Sequence, residues 1–149
     1  MTALVFADTN VLVYHLDTRE PRKQSRARAW VEYLWTTGSG RISFQVLEEL
    51  YATVTRKLDP GLDRETARQV VGALWAWQPV PVDERAFAAA WEAQDRFGLS
   101  WWDSLIVGAA RLADCRFLLT EDLQHDQDLD GLRVVSPFAI TPAELAQRA

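Results

Sequence analysis

One cysteine, Cys115, in 149 residues leaves no partner for an internal disulfide, and two histidines, His15 and His125, are too few for a Cys/His zinc cage. No apolar run approaches the ~20 residues of a membrane span. No basic start leads into an apolar signal core, so a cytoplasmic protein with no membrane partner is expected. Internal repeats, linkers and low-complexity tracts are also missing, which predicts one domain over residues 1–149. A net charge of −5 excludes a chain coated in basic residues, although it leaves room for a local patch.

Lysine is scarce too. Lys23 and Lys57 are the only two, and neither follows a late strand. That excludes a response-regulator receiver and a haloacid-dehalogenase-type phosphotransferase, which also needs a second Asp where Asn10 stands. No glycine-rich turn follows the first apolar run, so dinucleotide binding is excluded as well.

What is present is an ordinary globular composition, 48% hydrophobic and 25% charged, in a chain long enough to bury a sizeable core. Short apolar runs bounded by turn residues predict strands at 3–7, 41–43, 80–82, 116–120 and 133–135. Helical spacing predicts a short helix after Asp8-Thr9, one from about Ser25 to Thr36, and one starting at Ser43 or Phe44. Three more follow Asp63, Asp83 and Ser100. Strands alternating with helices imply a central, mainly parallel sheet covered on both faces, a three-layer α/β/α fold of about five strands. Ligands of such sheets bind outside the carboxyl ends of the strands. Asp8 and the pair Glu121-Asp122 both follow predicted strands, so both fall at that edge.

Two further acids are open to more than one reading. Asp103 falls inside the apolar arc of WWDSLIVGAARLA, with Ser104, Gly108 and Arg111 on the other side. An acid on a buried face is informative, because an unpaired one is costly. Yet Ser100-Trp101-Trp102-Asp103 also fits a capping box. Glu48 and Glu49 flank the Val46/Leu50/Val54 face symmetrically, and periodicity does not choose between them. Thr9, Asn10 and Thr120 stand beside Asp8 and Asp122, where short polar groups can hydrogen-bond carboxylates. N-capping and turn formation are their other roles, and capping is expected of Thr9. Residues 19–28 carry five cations (Arg19, Arg22, Lys23, Arg26 and Arg28) against Glu20 alone, a balance of +4: either a solvated helix face or a phosphate-contacting edge. Seven tryptophans are many for one small core; most are expected inside, with a surplus suited to an interface.

The segments FADTNVLVY, ISFQVLEELYATVTRK, LSWWDSLIVGAA and FLLTEDLQ, in this order, resemble a PIN domain of the VapC-type toxin class. The resemblance spans nearly the whole chain and implies a shared pocket of four acids: Asp8, Glu49 (preferred over Glu48 by its place after the QVL stretch), Asp103 and Asp122. Glu121 and Asp126 rank below these four as further candidates, and a contribution from Glu48 is left open. An all-carboxylate set suits Mg²⁺ or Mn²⁺ and disfavours zinc. The implied activity is metal-dependent cleavage of RNA phosphodiesters, with Arg19, Arg22, Lys23 and Arg26 as candidate phosphate contacts. The implied partners are a small antitoxin protein and a second copy of the chain. A catalytically silent RNA- or protein-binding module and a PIN nuclease of RNA processing are the alternatives. The chain departs from a common family form in having Asp126 where glycine is often found.

Overall fold

Val5, Phe6 and Ala7 have no solvent face, and neither do Phe117, Leu118 and Leu119. Strands buried on both sides belong inside a parallel sheet, and the computed structural model, which describes residues 2–148, places them there. β1 (Val5–Ala7) pairs in parallel with β2 (Gly40–Arg41) on one side and β3 (Phe117–Leu119) on the other. β3 pairs in parallel with β5 (Leu132–Val135), and β4 (Asp128–Leu129) closes the edge antiparallel to β5. The order is β2-β1-β3-β5-β4. Full burial of a side chain such as Phe6 or Leu118 contributes about 1.5–3 kcal/mol, and this central pair of strands carries four of that kind (Val5, Phe6, Leu118 and Leu119) within 1% of full burial.

Among the described residues, seven α-helices flank the sheet: α1 (Thr9–Tyr14), α2 (Pro21–Thr37), α3 (Phe44–Arg56), α4 (Arg64–Ala73), α5 (Glu84–Phe97), α6 (Trp101–Leu112) and α7 (Pro142–Arg148). Their starts are chemical. The Ser43 hydroxyl accepts from the Val46 N–H, Asp63 from Thr66, Asp83 from Arg85 and Ala86, and Ser100 from Asp103. α2 begins four residues earlier than expected because Pro21, at its first turn, has the preset φ of a helix and no N–H to orphan. Arg22, Lys23, Arg26 and Arg28 therefore lie on the first half of α2, and Arg19 just precedes it. Among the described residues no helix is long and apolar enough to cross a membrane.

Among the described residues five strands form, but the membership differs from expectation. Residues 80–82 contribute only a single bridge, Val80 to Ser43, because prolines on both sides stop the ladder. The fifth strand is β4, reached through a tight turn with Asp130 and Gly131 at positive φ. The polar arc assigned to α6 is also corrected. Ser104 and Gly108 are buried as well, and Gly108 packs against Ala89 and Ala90 of α5. A Cβ on Gly108 would stand 2.8 Å from the Ala90 nitrogen, so the missing side chain is what lets α5 and α6 pack backbone to backbone. Trp30 and Trp77 lie in the core, but Trp35, Trp75, Trp91 and Trp102 are exposed, more than composition suggested.

Candidate active site

β1 sits between β2 and β3, so the chain leaves it in one direction and later returns on the other. That reversal opens a crevice at the carboxyl ends of β1 and β3. Backbone pairing continues just past each strand, Asp8 N–H to the Leu119 carbonyl (2.9 Å) and Thr120 N–H to the Val135 carbonyl (3.0 Å). Asp8 and Thr120 are thereby fixed to the sheet rim.

From these two residues a continuous hydrogen-bond chain runs through the crevice. Asp8 caps α1: its Oδ1 accepts from the Thr9 N–H at 2.7 Å, so the cap is Asp8 itself and not Thr9. The Thr9 hydroxyl points across to α3 and donates to Glu49 Oε2 at 2.9 Å. Glu49 Oε1 accepts from Gln45 Nε2, one helical turn earlier, at 3.0 Å. On the other side, the Thr120 hydroxyl donates to Asp8 Oδ2 at 2.7 Å while accepting from Asn10 Nδ2 (3.3 Å) and the Asp122 N–H (3.1 Å). Asn10 Nδ2 also donates to Asp122 Oδ2 at 3.2 Å. Glu49, Thr9, Asp8, Thr120, Asn10 and Asp122 are thus one network around an open cleft of about 340 Å³.

Asp8 is buried, whereas Glu49 and Asp122 stand at the exposed rim. Burial pushes the Asp8 carboxyl up to about 6; the bonds from Thr120 and Thr9 pull it down, and the charges of Asp122 and Glu49 add to the rise. Three carboxylates around one cleft are a hard, all-oxygen donor set of the kind Mg²⁺ or Mn²⁺ takes. Among the described residues, however, no three His, Cys, Asp or Glu side chains converge as a ready ligand cluster. The network explains the spacing: each carboxylate is held by neutral donors from Thr9, Gln45, Thr120 or Asn10.

Asp103 does not line this cleft. It is half-buried in the first turn of α6, where its N–H bonds to the Ser100 hydroxyl at 3.2 Å. Only that half of the capping box forms, so its carboxylate is uncommitted among the described residues. The neighbouring Trp102 faces α3 across a hollow shared with Glu48 and Glu49, which puts the start of α6 beside the Glu49 end of the network.

Glu121 and Asp126 are engaged elsewhere. Glu121 accepts from the Tyr14 hydroxyl (2.8 Å) and from Lys23 Nζ (3.0 Å), and Lys23 also donates to Tyr14 (3.1 Å) and lies over the Tyr14 ring. Burial pushes the Tyr14 phenol up, while the bonds to Tyr14 and Glu121 hold the Lys23 ammonium above its usual range. This Tyr14–Lys23–Glu121 cluster, on the cleft's rim, had no signal in the sequence, since Glu121 lies 98 and 107 residues from Lys23 and Tyr14. Gln45 was legible in principle, as a polar residue four positions before Glu49 on one helix. Asp126 pairs with Arg148 at 2.7 Å. Arg19 is tied to Asp17 at 3.1 Å, and Arg28 to the His15 carbonyl; among the described residues Arg22 and Arg26 have no hydrogen-bond or ion-pair partner.

Comparison with known proteins gives three findings. The family model for the PIN domain matches residues 5–128. A search of curated proteins finds no match. Among solved structures, FitAB bound to an IR36 DNA fragment is similar at a TM-score of 0.70 and 19% identity, covering 92% of this chain and 97% of that one. A toxin–antitoxin complex from Klebsiella pneumoniae is similar at 0.65 and 18%, covering 93% and 100%. DNA-bound VapBC from Salmonella typhimurium is similar at 0.62 and 19%, covering 91% and 99%. At these identities the structural likeness is one of fold.

Proposed function

Because this chain belongs to the PIN domain family, we propose that it is a Mg²⁺- or Mn²⁺-dependent endoribonuclease and the toxin of a toxin–antitoxin pair. The observation that carries the proposal is the network that joins Asp8, Glu49 and Asp122 around one cleft at the switch point of the sheet. Asp8, Glu49, Asp122 and, from the start of α6, Asp103 would hold the ion. When bound, it supplies Lewis-acid activation of water and neutralises charge developing on the phosphodiester.

The chain's own residues do the rest. Thr9 and Thr120 hold Asp8 in one orientation from both of its oxygens, and Asn10 ties Asp122 to the same frame, so the acids are set before any ligand arrives. Val13 and Tyr14 form an apolar side of the cleft against which a nucleotide can lie. Phosphates on the flank would meet Arg22 and Arg26, the unpaired cations of α2, while Arg19 and Lys23, already paired with Asp17 and Glu121, would contribute mainly to shape.

The antitoxin partner is supported by structural neighbours that are themselves toxin–antitoxin complexes, and the exposed tryptophans suit protein partners, including a second copy of the chain. The test is incubation with total RNA and Mn²⁺, mapping cleaved ends, beside Asp8→Ala. Metal-dependent ends made only by the parent protein support the reading. Equal cleavage by both refutes the site, and RNA binding without cleavage by either points to a silent binding module.

A further inference from the structure

Glu49 borders two hollows. One is the acid cleft; the other, of about 500 Å³, lies between α3 and the start of α6 and is lined by Gln45, Glu48, Glu49, Ala52 and Trp102. Trp102 is 65% exposed, the barest large apolar side chain among the described residues. Its backbone is nonetheless firmly held. The Ser100 hydroxyl caps the helix, the Ser104 hydroxyl bonds back to the Ser100 carbonyl at 2.7 Å, and the neighbouring Trp101 packs on Phe87 with ring centroids 5.4 Å apart. A fixed helix therefore presents a free indole face next to the acids.

The polar groups of the hollow are unequal. Gln45 has committed its amide to Glu49, and Glu49 accepts from both Gln45 and Thr9. Glu48 has no partner among the described residues, so its two oxygens are the hollow's available acceptors. An apolar plate beside a free carboxylate, with no cation lining the hollow, repels a phosphate and matches a flat group whose edge carries N–H donors. A nucleobase is such a group, and the hollow's continuity with the acid cleft through Glu49 places it where a nucleotide flanking the cleaved phosphate would reach.

Resting on the nuclease reading above, we propose that Trp102 and Glu48 form a base-recognition site: an unpaired RNA base stacks on Trp102, and the Glu48 carboxylate accepts from its edge. Stacking is tolerant of sequence, since every base has a π-face, so selectivity falls to Glu48. Of the four bases, guanine alone presents two adjacent donors, N1–H and N2–H, to a two-oxygen acceptor. The site therefore favours guanine beside the cleaved bond.

The experiment is cleavage of a randomised single-stranded RNA pool with Mn²⁺ by the full chain, sequencing the ends. It is run with the parent protein, Trp102→Ala, Trp102→Phe, Glu48→Gln and Asp8→Asn, with sedimentation and thermal unfolding on each. The expected result is guanine enrichment at one position next to the cut. Trp102→Ala should lower kcat/KM by about 5–150-fold, the range of one lost stacked base; Trp102→Phe should keep most of it. Glu48→Gln should lose the guanine preference, with cleavage beside guanine falling to the level of the other bases. Unchanged cleavage by Trp102→Ala with a dead Asp8→Asn overturns this proposal alone. Equal cleavage by Asp8→Asn and parent overturns the nuclease reading beneath it. A Trp102→Ala protein that sediments as a smaller species than the parent makes the indole a subunit contact and overturns the base site. Enrichment of another base, or a guanine preference untouched by Glu48→Gln, removes Glu48 from it.

Discussion

Replacing Asp8 with asparagine should reverse its effect on stability between acid and neutral pH. In the fold, burial lifts the Asp8 carboxyl from 3.8 to about 6, with the charges of Asp122 and Glu49 adding to the lift. A shift of about two units is worth roughly 3 kcal/mol at ~1.4 kcal/mol per unit. The folded pKa is the higher one, so the protonated acid is what the fold favours. Its contribution is fully present below about pH 4 and is lost as pH rises through 6. Asparagine never carries that charge. It does lose a bond: Asp8 accepts from the Thr9 N–H and the Thr120 hydroxyl with separate oxygens, whereas an amide has one. Its NH₂ would face a Thr120 oxygen that already accepts from Asn10 and the Asp122 N–H, a cost of about 1–2 kcal/mol. The variant should therefore be about 1–2 kcal/mol less stable than the parent at pH 4 and about 1–2 kcal/mol more stable at pH 7. Urea unfolding in EDTA, followed by tryptophan fluorescence from pH 4 to 8, measures the difference directly, and subtraction cancels the titrating groups that do not interact with Asp8. A stability difference that does not change with pH would refute the argument. Adding Mn²⁺ at 100 times its Kd should then stabilise the parent by about 2.7 kcal/mol and the variant hardly at all.

Three other substitutions probe the frame around Asp8. Thr120→Val keeps the shape but leaves Asp8 Oδ2 and the Asp122 N–H unbonded, so it should cost about 1–3 kcal/mol in EDTA at pH 7 by urea unfolding and weaken Mn²⁺ binding 10–100-fold by calorimetry. Asp103→Asn retains the backbone bond to Ser100 and should lose no more than about 0.5 kcal/mol of stability in a thermal melt; if its carboxylate serves the ion, RNA cleavage should fall at least ~100-fold, and unchanged cleavage would leave it a helix-cap residue. Gly108→Ala puts a Cβ 2.8 Å from the Ala90 nitrogen, so separation of α5 and α6, about 1–3 kcal/mol, should outweigh the roughly 1 kcal/mol gain in helix propensity, a net loss readable in urea.

Which features were legible in the sequence follows from the range of the interaction that sets them. Val5–Ala7 and Phe117–Leu119 were legible because double-sided burial demands an unbroken apolar run. The starts at Ser43, Asp63, Asp83 and Ser100 were legible because a cap bond spans only two or three residues. Thr9 was misread as the cap because Asp8 and Thr9 are both competent; a contact 40 residues away, to Glu49, decides between them. The choice of Glu49 over Glu48 was invisible to helical periodicity for the same reason. The two glutamates flank one face, and what separates them is that α1 and Gln45 bond to the first while α6 leaves the second open. Lys23 read as a free cation because its partner Glu121 lies on another element.

Position 126 departs from the resembling family in residue type. Where the resembling family often has glycine, Asp126 adopts a left-handed backbone, with φ at 68°. Aspartate is among the few residues besides glycine that tolerate it. The turn closes as it must: the Asp126 N–H bonds to the Val134 carbonyl at 2.9 Å, and Arg133 donates to the Asp126 carbonyl at 2.7 Å. The carboxylate then points away from the acid cleft, to Arg148 at 2.7 Å, so that position 126 ties α7 to the β4–β5 edge. Asp126→Gly should therefore relieve the backbone and lose the α7 tether, two opposed effects that leave the melting temperature nearly unchanged. Mn²⁺ affinity and RNA cleavage should both stay at the parent level, because neither oxygen faces Asp8, Glu49 or Asp122. A loss of Mn²⁺ affinity in this variant, measured by calorimetry beside Arg148→Ala, would place Asp126 among the ion's ligands and require the loop after Asp122 to fold back over the cleft.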